Sequence, residues 1–367
     1  MLELNKIYNI DTLEGLKLIP NDKIDCVITS PPYWLMRDYG IKGQIGLEIT
    51  FQEYINKLCN IFDEVKRVLK PYGTLFVNIG DKYNGTMIRN TDINNKKTKG
   101  KTFKNSKQTF TLTKRKEKYC HNCGIKFMAL PNQYFCSPKC SGVDNTPRKQ
   151  KGLLPNQCLL QLPNRFAIEM CNRGWILRNE IIWEKGNSTP QSVKKRFTVN
   201  FEKIFFFVKN NNYYFKQQFE PCKAESIKRL NRGINVNKWT EGATGQTPHS
   251  FSQPRLNKKK QILNKNYIPN KPDWVEKGRN KRCIWNINTK PFKKAHFATF
   301  PLELPEICIK AGCKENGIVL DPFMGAGTTA VASLKYNRNY IGFELNKEYC
   351  EIAKDRIKEY NKQIKLF

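Results

Sequence analysis

The run GIVLDPFMGAGTTAVAS, residues 317–333, restricts the fold of this chain more than any other stretch. An apolar, β-branched strand stops at Asp321, a turn carrying Gly325 and Gly327 follows, and small residues then begin a helix. Such a strand–turn–helix sits at the carboxyl edge of a parallel sheet, where a glycine-rich turn lets a ligand come close to the backbone. The remaining order agrees with it. KIYNI and IDCVITS read as strands, and Leu58, Phe62, Val65 and Leu69 recur at steps of three or four, predicting a helix stopped by Pro71. GTLFVNIG is a further buried strand, LPNRFAIEMCNRG reads as a helix, WILRNEIIWEK and FEKIFFFVK as two strands, and PLELPEICIKAG as another helix. NYIGFEL is the last strand, before a terminal helix with Tyr349, Ile352, Ala353 and Ile357 on one face. Alternation of this kind predicts a mostly parallel α/β sheet.

Two segments break the pattern. Residues 86–150 hold 15 basic and 3 acidic side chains, and residues 217–295 hold 18 and 5, in a chain of 64 Lys plus Arg against 32 Asp plus Glu. Basic modules set in a near-neutral body, with Phe103, Phe110, Trp239, Phe251 and Trp274 interleaved, imply a polyanion partner, most simply nucleic acid. A membrane protein is excluded, because no apolar stretch reaches the roughly 18 residues that a bilayer requires. MLELNKIYNIDTLEGL lacks a charged-then-apolar leader, so a cytoplasmic location is expected. Thirteen cysteines then sit in a reducing compartment, and most of them, such as Cys26 in IDCVITS, read as small buried hydrophobes.

Two loops carry chemistry. Asp321 stands before the glycine turn and Glu344 about twenty residues after it, where a carboxylate can bind ribose hydroxyls, so a nucleoside cofactor is favoured. The turn is not a full G-x-G-x-x-G and holds no phosphate-binding lysine, which argues against a dinucleotide or a nucleoside triphosphate. The other loop, Thr29-Ser30-Pro31-Pro32-Tyr33-Trp34, directly follows the strand IDCVI. Its two prolines fix an extended turn, lack backbone N–H groups and leave carbonyls facing outward. The aromatic pair beside them offers a flat surface on which a base can stack. Standing alone, the same unit would be a Pro-Pro turn with core aromatics.

Together, TSPPYW and DPFMGAGTT resemble the amino-methylating DNA methyltransferases that use S-adenosylmethionine. The order, proline motif first and cofactor motif last, is that of the circularly permuted β-type subgroup. IYNIDTLEGL, LKPYGTLFVNIGDKY, GWILRNEIIWEK and HFATFPLELPEICIKAGC extend the resemblance over residues 1–85, 151–216 and 283–367. It implies a Rossmann-like fold with a mostly parallel seven-stranded sheet. It also implies that Asp321, Phe323, Gly325 and Gly327 form the methionine-side loop, with Glu344 on the ribose and Asp11 near the adenine. Thr299, Phe300 and Pro301 would close the other side of the cofactor pocket, and Ser30, Pro31, Pro32 and Tyr33 would hold the target base as the catalytic residues. In this family Ser before Pro-Pro-Tyr goes with cytosine N4, and Asp or Asn with adenine N6, so Ser30 leads to cytosine N4 as the expected acceptor. Adenine N6 is the alternative, and a DNA-binding relative without catalysis is another, which the intact Ser30-Pro31-Pro32-Tyr33 and Asp321 oppose. Double-stranded DNA is the expected partner, a cognate restriction endonuclease an open one, and a prokaryotic or phage origin follows.

Cys120 and Cys123, then Cys136 and Cys140 twelve residues on, have the spacing of a tetrahedral Cys₄ zinc site. Four thiolates leave no open position, so a zinc ion there is expected to be structural, pinning a knuckle with little core of its own. The resulting organisation is a catalytic half at 1–85, a basic insertion with the knuckle at 86–150, the body continued at 151–216, a target-recognition region at 217–282 and a cofactor-binding half at 283–367.

Overall fold

The computed structural model describes residues 2–41, 43–84, 89–90, 116–119, 126–129, 154–155, 157–222, 224–225, 278–290 and 299–364. They fall into two units, Met1–Lys216 with Cys283–Phe367, and Gln217–Arg282. In the larger unit eight strands make one sheet: β1 (Lys6–Tyr8), β2 (Ile24–Thr29), β3 (Leu69–Ile79), β4 (Ile176–Glu184), β5 (Phe201–Val208), β6 (Ile284–Asn286), β7 (Ile318–Asp321) and β8 (Asn339–Phe343). Their order across the sheet is β1-β8-β7-β2-β3-β5-β4-β6. Only β5 runs against its neighbours. The sequence predicts seven strands; the eighth, β6, has three residues in a polar setting, too few to show a periodicity.

Among the described residues six helices accompany the sheet: α1 (Thr12–Lys17), α2 (Phe51–Val68), α3 (Leu162–Asn172), α4 (Glu303–Gly312), α5 (Thr328–Lys335) and α6 (Lys347–Ile364). Local chemistry sets their starts. The Asp11 carboxylate accepts from the backbone of Leu13 and Glu14 at the head of α1, and Thr50 with Glu53 forms a reciprocal capping box on α2. Pro71 does not stop α2, which ends at Val68. The proline lies inside β3, between the Leu69 and Thr74 pairings to β2, where the register skips and its missing N–H costs no ladder bond.

Side chains alternate across the middle strands. Val27, Leu75, Val77, Phe205 and Phe207 turn to one face, under α1, α2 and α3, while Cys26, Ile28, Phe76, Ile204 and Phe206 turn to the other, under α4 and α5. Phe76 and Phe206 stack with ring centres 4.6 Å apart. Burial pushes the Cys313 thiol up to about 12 and the Cys350 thiol to about 11, which fits packing rather than reactivity.

The four cysteines of the expected zinc knuckle lie outside the described residues; next to them, Lys116–Tyr119 pairs antiparallel with Lys126–Ala129. Among the described residues, no group of three or more His, Cys, Asp or Glu side chains is placed to hold a metal ion. No described helix is long and apolar enough to cross a membrane. In the smaller unit, Phe219–Glu220 pairs with Arg279–Asn280, and Glu220 holds both Arg279 and Arg282.

Candidate active site

The carboxyl ends of β2, β3, β4, β7 and β8 share one edge of the sheet, and the reversed direction of β5 brings its amino end to the same place. There the loops enclose a cavity of about 500 Å³, a size common for small-ligand sites. Ser30, Pro31, Pro32 and Tyr33 line it, as do Asp11, Thr299, Phe300, Phe323, Gly325 and Glu344. Asp321, Pro301 and Gly327 do not.

At one end, the Tyr33 hydroxyl donates to Glu202 Oε2 at 2.7 Å, and Ser30 Oγ donates to Tyr33 Oη at 3.2 Å. Asn78 Nδ2 reaches the same Glu202 oxygen at 2.8 Å and Tyr33 Oη at 2.9 Å, while Lys185 pairs with the other oxygen of Glu202. A carboxylate only accepts hydrogen bonds, so the chain from Ser30 through Tyr33 to Glu202 has one direction. The Ser30 proton is committed to Tyr33, and Oγ accepts from Asn78 Nδ2 at 3.4 Å, which leaves it one further lone pair as an acceptor at the cavity wall. The Pro32 carbonyl takes the Tyr54 hydroxyl at 2.9 Å, whereas no described residue donates to the Pro31 carbonyl. Burial beside the Glu202 carboxylate holds the Tyr33 phenol well above its ordinary range. Gly80 leaves room for the Tyr33 ring, since a Cβ there would stand 2.6 Å from it.

At the other end, Glu344 follows β8 and spans two loops. Its Oε2 accepts the Gly325 N–H at 2.8 Å and its Oε1 the Asn346 N–H at 2.8 Å. Gly325 has a φ of +52°, and a Cβ there would meet nothing within 4 Å, so the backbone lies open toward the cavity. Burial raises the Glu344 carboxyl above its usual value, against the pull of those amides. Asp11 keeps its place at the wall by capping α1, and the Thr12 hydroxyl donates to the Pro322 carbonyl at 2.7 Å. Pro301 is buried behind Phe300, with its carbonyl starting the turn into α4, and a Cβ on Gly327 would stand 2.9 Å from that of Ala353, which makes it a packing glycine.

Asp321 stands at the head of the glycine loop, off the cavity wall. It is 1% exposed; Oδ1 accepts the Thr29 hydroxyl at 2.7 Å and the Phe323 N–H at 3.0 Å, and Oδ2 accepts the Thr329 hydroxyl at 2.6 Å. Buried and off the cavity wall, it fastens the loop to β2 and α5. Burial nonetheless pushes its carboxyl up to about 6, from an ordinary 3.8. The folded protein therefore binds this proton more tightly than the unfolded chain, and the site contributes stability as pH falls through 6, losing it as pH rises. Asp321→Asn keeps the shape without the charge. Its melting temperature relative to the parent is expected to climb between about pH 4 and pH 7, by at most about 3 kcal/mol of stability, measured by calorimetry across that range. A variant that instead loses ground with rising pH would show the ionised carboxylate to be the favoured form.

Asn78, Lys185 and Glu202 were not legible as site residues. Asn78 sits in an apolar strand, and Glu202 reaches this edge only because β5 is reversed, a fact that no local pattern encodes.

A family profile described as DNA methylase, that of the N6 and N4 methylases, matches residues 24–355. Type II methyltransferase M.XycI of Xanthomonas campestris pv. cyanopsidis is 32% identical over 366 residues, covering 99% of this chain and 91% of the relative. Type II methyltransferase M.SmaI of Serratia marcescens is 34% identical over 354 residues, 96% of this chain and 90% of the relative. Among solved structures, the PvuII DNA methyltransferase (cytosine-N4-specific) superposes with a TM-score of 0.53 at 17% identity, over 97% of this chain and 90% of its own; the likeness is one of fold.

Proposed function

The chain belongs to the N6/N4 DNA methylase family, and from that premise we propose that this DNA methyltransferase moves a methyl group from S-adenosylmethionine to the exocyclic N4 of a cytosine turned out of double-stranded DNA. The observation that carries the reading is the one-way hydrogen-bond chain from Ser30 to Glu202. An exocyclic amine is a poor nucleophile because its lone pair is delocalised into the ring. Two acceptors at the wall, Ser30 Oγ and the open Pro31 carbonyl, can take its two N–H hydrogens and draw the nitrogen toward tetrahedral geometry. Holding that nitrogen in line with the methyl carbon supplies much of the rate. Turning the base out costs a few kcal/mol of pairing and stacking, which the Tyr33 side of the cavity offsets.

The far end fits the cofactor. Glu344 offers a carboxylate beside an open glycine backbone, Phe300 and Phe323 supply apolar cover, and Asp11 a second acidic edge. S-Adenosylmethionine bound there supplies an electrophilic methyl group on a sulfonium. Glu344 would hold the ribose hydroxyls, Phe323 and Gly325 the methionine side, Asp11 the adenine edge, and Thr299 and Phe300 the opposite wall. Asp321 and Gly327 act through the loop they fix. No cysteine is needed as a nucleophile. On the same reading the order of the halves is permuted, residues 217–282 select the DNA sequence, and Cys120, Cys123, Cys136 and Cys140 bind a structural zinc by virtue of their spacing, while a cognate restriction endonuclease stays an open partner.

Expression of the protein is expected to add N4-methylcytosine to host DNA, identified by the mass of the nucleosides after digestion. N6-methyladenine as the only new base would overturn the cytosine assignment and leave the enzyme class. No modified base from folded protein would overturn catalysis itself.

A further inference from the structure

Between β4 and β5 the chain makes a loop flanked by Lys185 and, one residue into β5, Glu202, both of which line the cavity. The Lys185 N–H closes its base on the Asn200 carbonyl at 2.8 Å. At its outer part stands Phe197, 96% exposed, the most exposed large hydrophobic side chain among the described residues; the next, Ile284, is at 66%. A lone exposed apolar side chain is ordinary. This one is different in its company. Lys194, Lys195 and Arg196 precede it directly, all exposed. The Arg196 guanidinium lies 4.1 Å from the centre of the Tyr83 ring and donates to the Phe197 carbonyl at 3.1 Å, so the backbone under the phenyl ring is held while the ring itself is left in solvent. Tyr83 in turn follows the strand that presents Asn78 to the cavity.

We propose that Phe197 is a wedge for the base stack of double-stranded DNA: it enters the gap left when the target base turns into the cavity, while Lys194 and Lys195 hold the flanking phosphates. The inference rests on the DNA reading above and adds to it the residue that keeps the duplex open. The chemistry is that of an aromatic side chain inserted between base steps, where stacking replaces what the departed base gave up. Each lysine contributes a phosphate contact whose strength falls with salt. The segment that carries Phe197 leaves the cavity wall at Lys185 and returns to it at Glu202, so the wedge and the pocket can act on neighbouring points of one strand.

The test uses the full chain and two duplexes bearing the site modified in host DNA, one fully paired and one with the target base opposite an abasic position. Phe197→Ala is expected to slow methyl transfer to the paired duplex by about 10- to 100-fold, yet act on the unpaired one within about threefold of the parent, because opening is already done there. Cofactor affinity, read by calorimetry, stays at the parent value and shows the fold to be intact. Lys194→Ala with Lys195→Ala should weaken binding to both duplexes alike and lower the salt slope by roughly 0.9 per lost contact. Equal loss on the two duplexes, or none on either, would overturn the wedge. A parent chain that methylates neither duplex removes the DNA reading, and the wedge with it.

Discussion

Ser30→Ala is expected to slow methyl transfer by about 10²- to 10³-fold, the range for losing one preorganised hydrogen-bonding group that acts in the transition state. The alanine removes one of two acceptors for the amine hydrogens and leaves the apolar frame of the loop in place. Cofactor binding at the Glu344 end should be unchanged. Glu202→Gln is the sharper variant. A glutamine amide can donate as well as accept, so the Tyr33 hydroxyl is free to turn and donate to Ser30, and the Ser30 proton then points into the cavity. The amine would face a donor instead of an acceptor. Steady-state kinetics should show kcat falling with little change in the KM for S-adenosylmethionine. Full activity in Glu202→Gln would mean that the direction of the chain is irrelevant to the chemistry.

Glu344→Ala is expected to produce the largest change in cofactor affinity. The carboxylate loses whatever it gives the ribose, and Gly325 and Asn346 lose their acceptor. Hydrogen bonds to a charged group are worth about 1.5–3 kcal/mol each, so a rise in Kd of at least tenfold, and up to several hundredfold, is the expected result in calorimetry. Glu344→Gln keeps one acceptor and should fall between. An unchanged Kd in both variants would place the cofactor elsewhere.

Much of this site could be read from the chain because each motif is contiguous and ends a strand. Ser30 follows β2, the glycine turn follows β7 and Glu344 follows β8, so strand periodicity alone places them on one edge. What was not legible depends on pairing across the chain. Asp321 looks like a ligand because acidic residues at that position in a loop are often ligands; only its contacts with Thr29 and Thr329 show it turned inward. Glu202 begins a strand whose pattern, FEKIFFFV, is compatible with either direction, and the reversed one carries the carboxylate to Tyr33. Pro71 illustrates the same limit at the level of secondary structure: its restriction on the backbone is local, but the register skip that tolerates it belongs to two strands.

The fastening at Asp321 also bears on how such a chain can change. Thr29 and Asp321 are 292 residues apart in sequence yet 2.7 Å apart in space, and Thr12 bonds Pro322 across a span of 310. These direct ties align the base-holding loop with the cofactor loop, and no residue of 86–150 or 217–282 takes part in either. The segments between can therefore lengthen, shorten or be exchanged for others without shifting the two reacting partners against each other. With DNA selection assigned to those segments, as proposed above, a scaffold riveted this way permits new specificities to be tried by recombination while the transfer step is inherited intact.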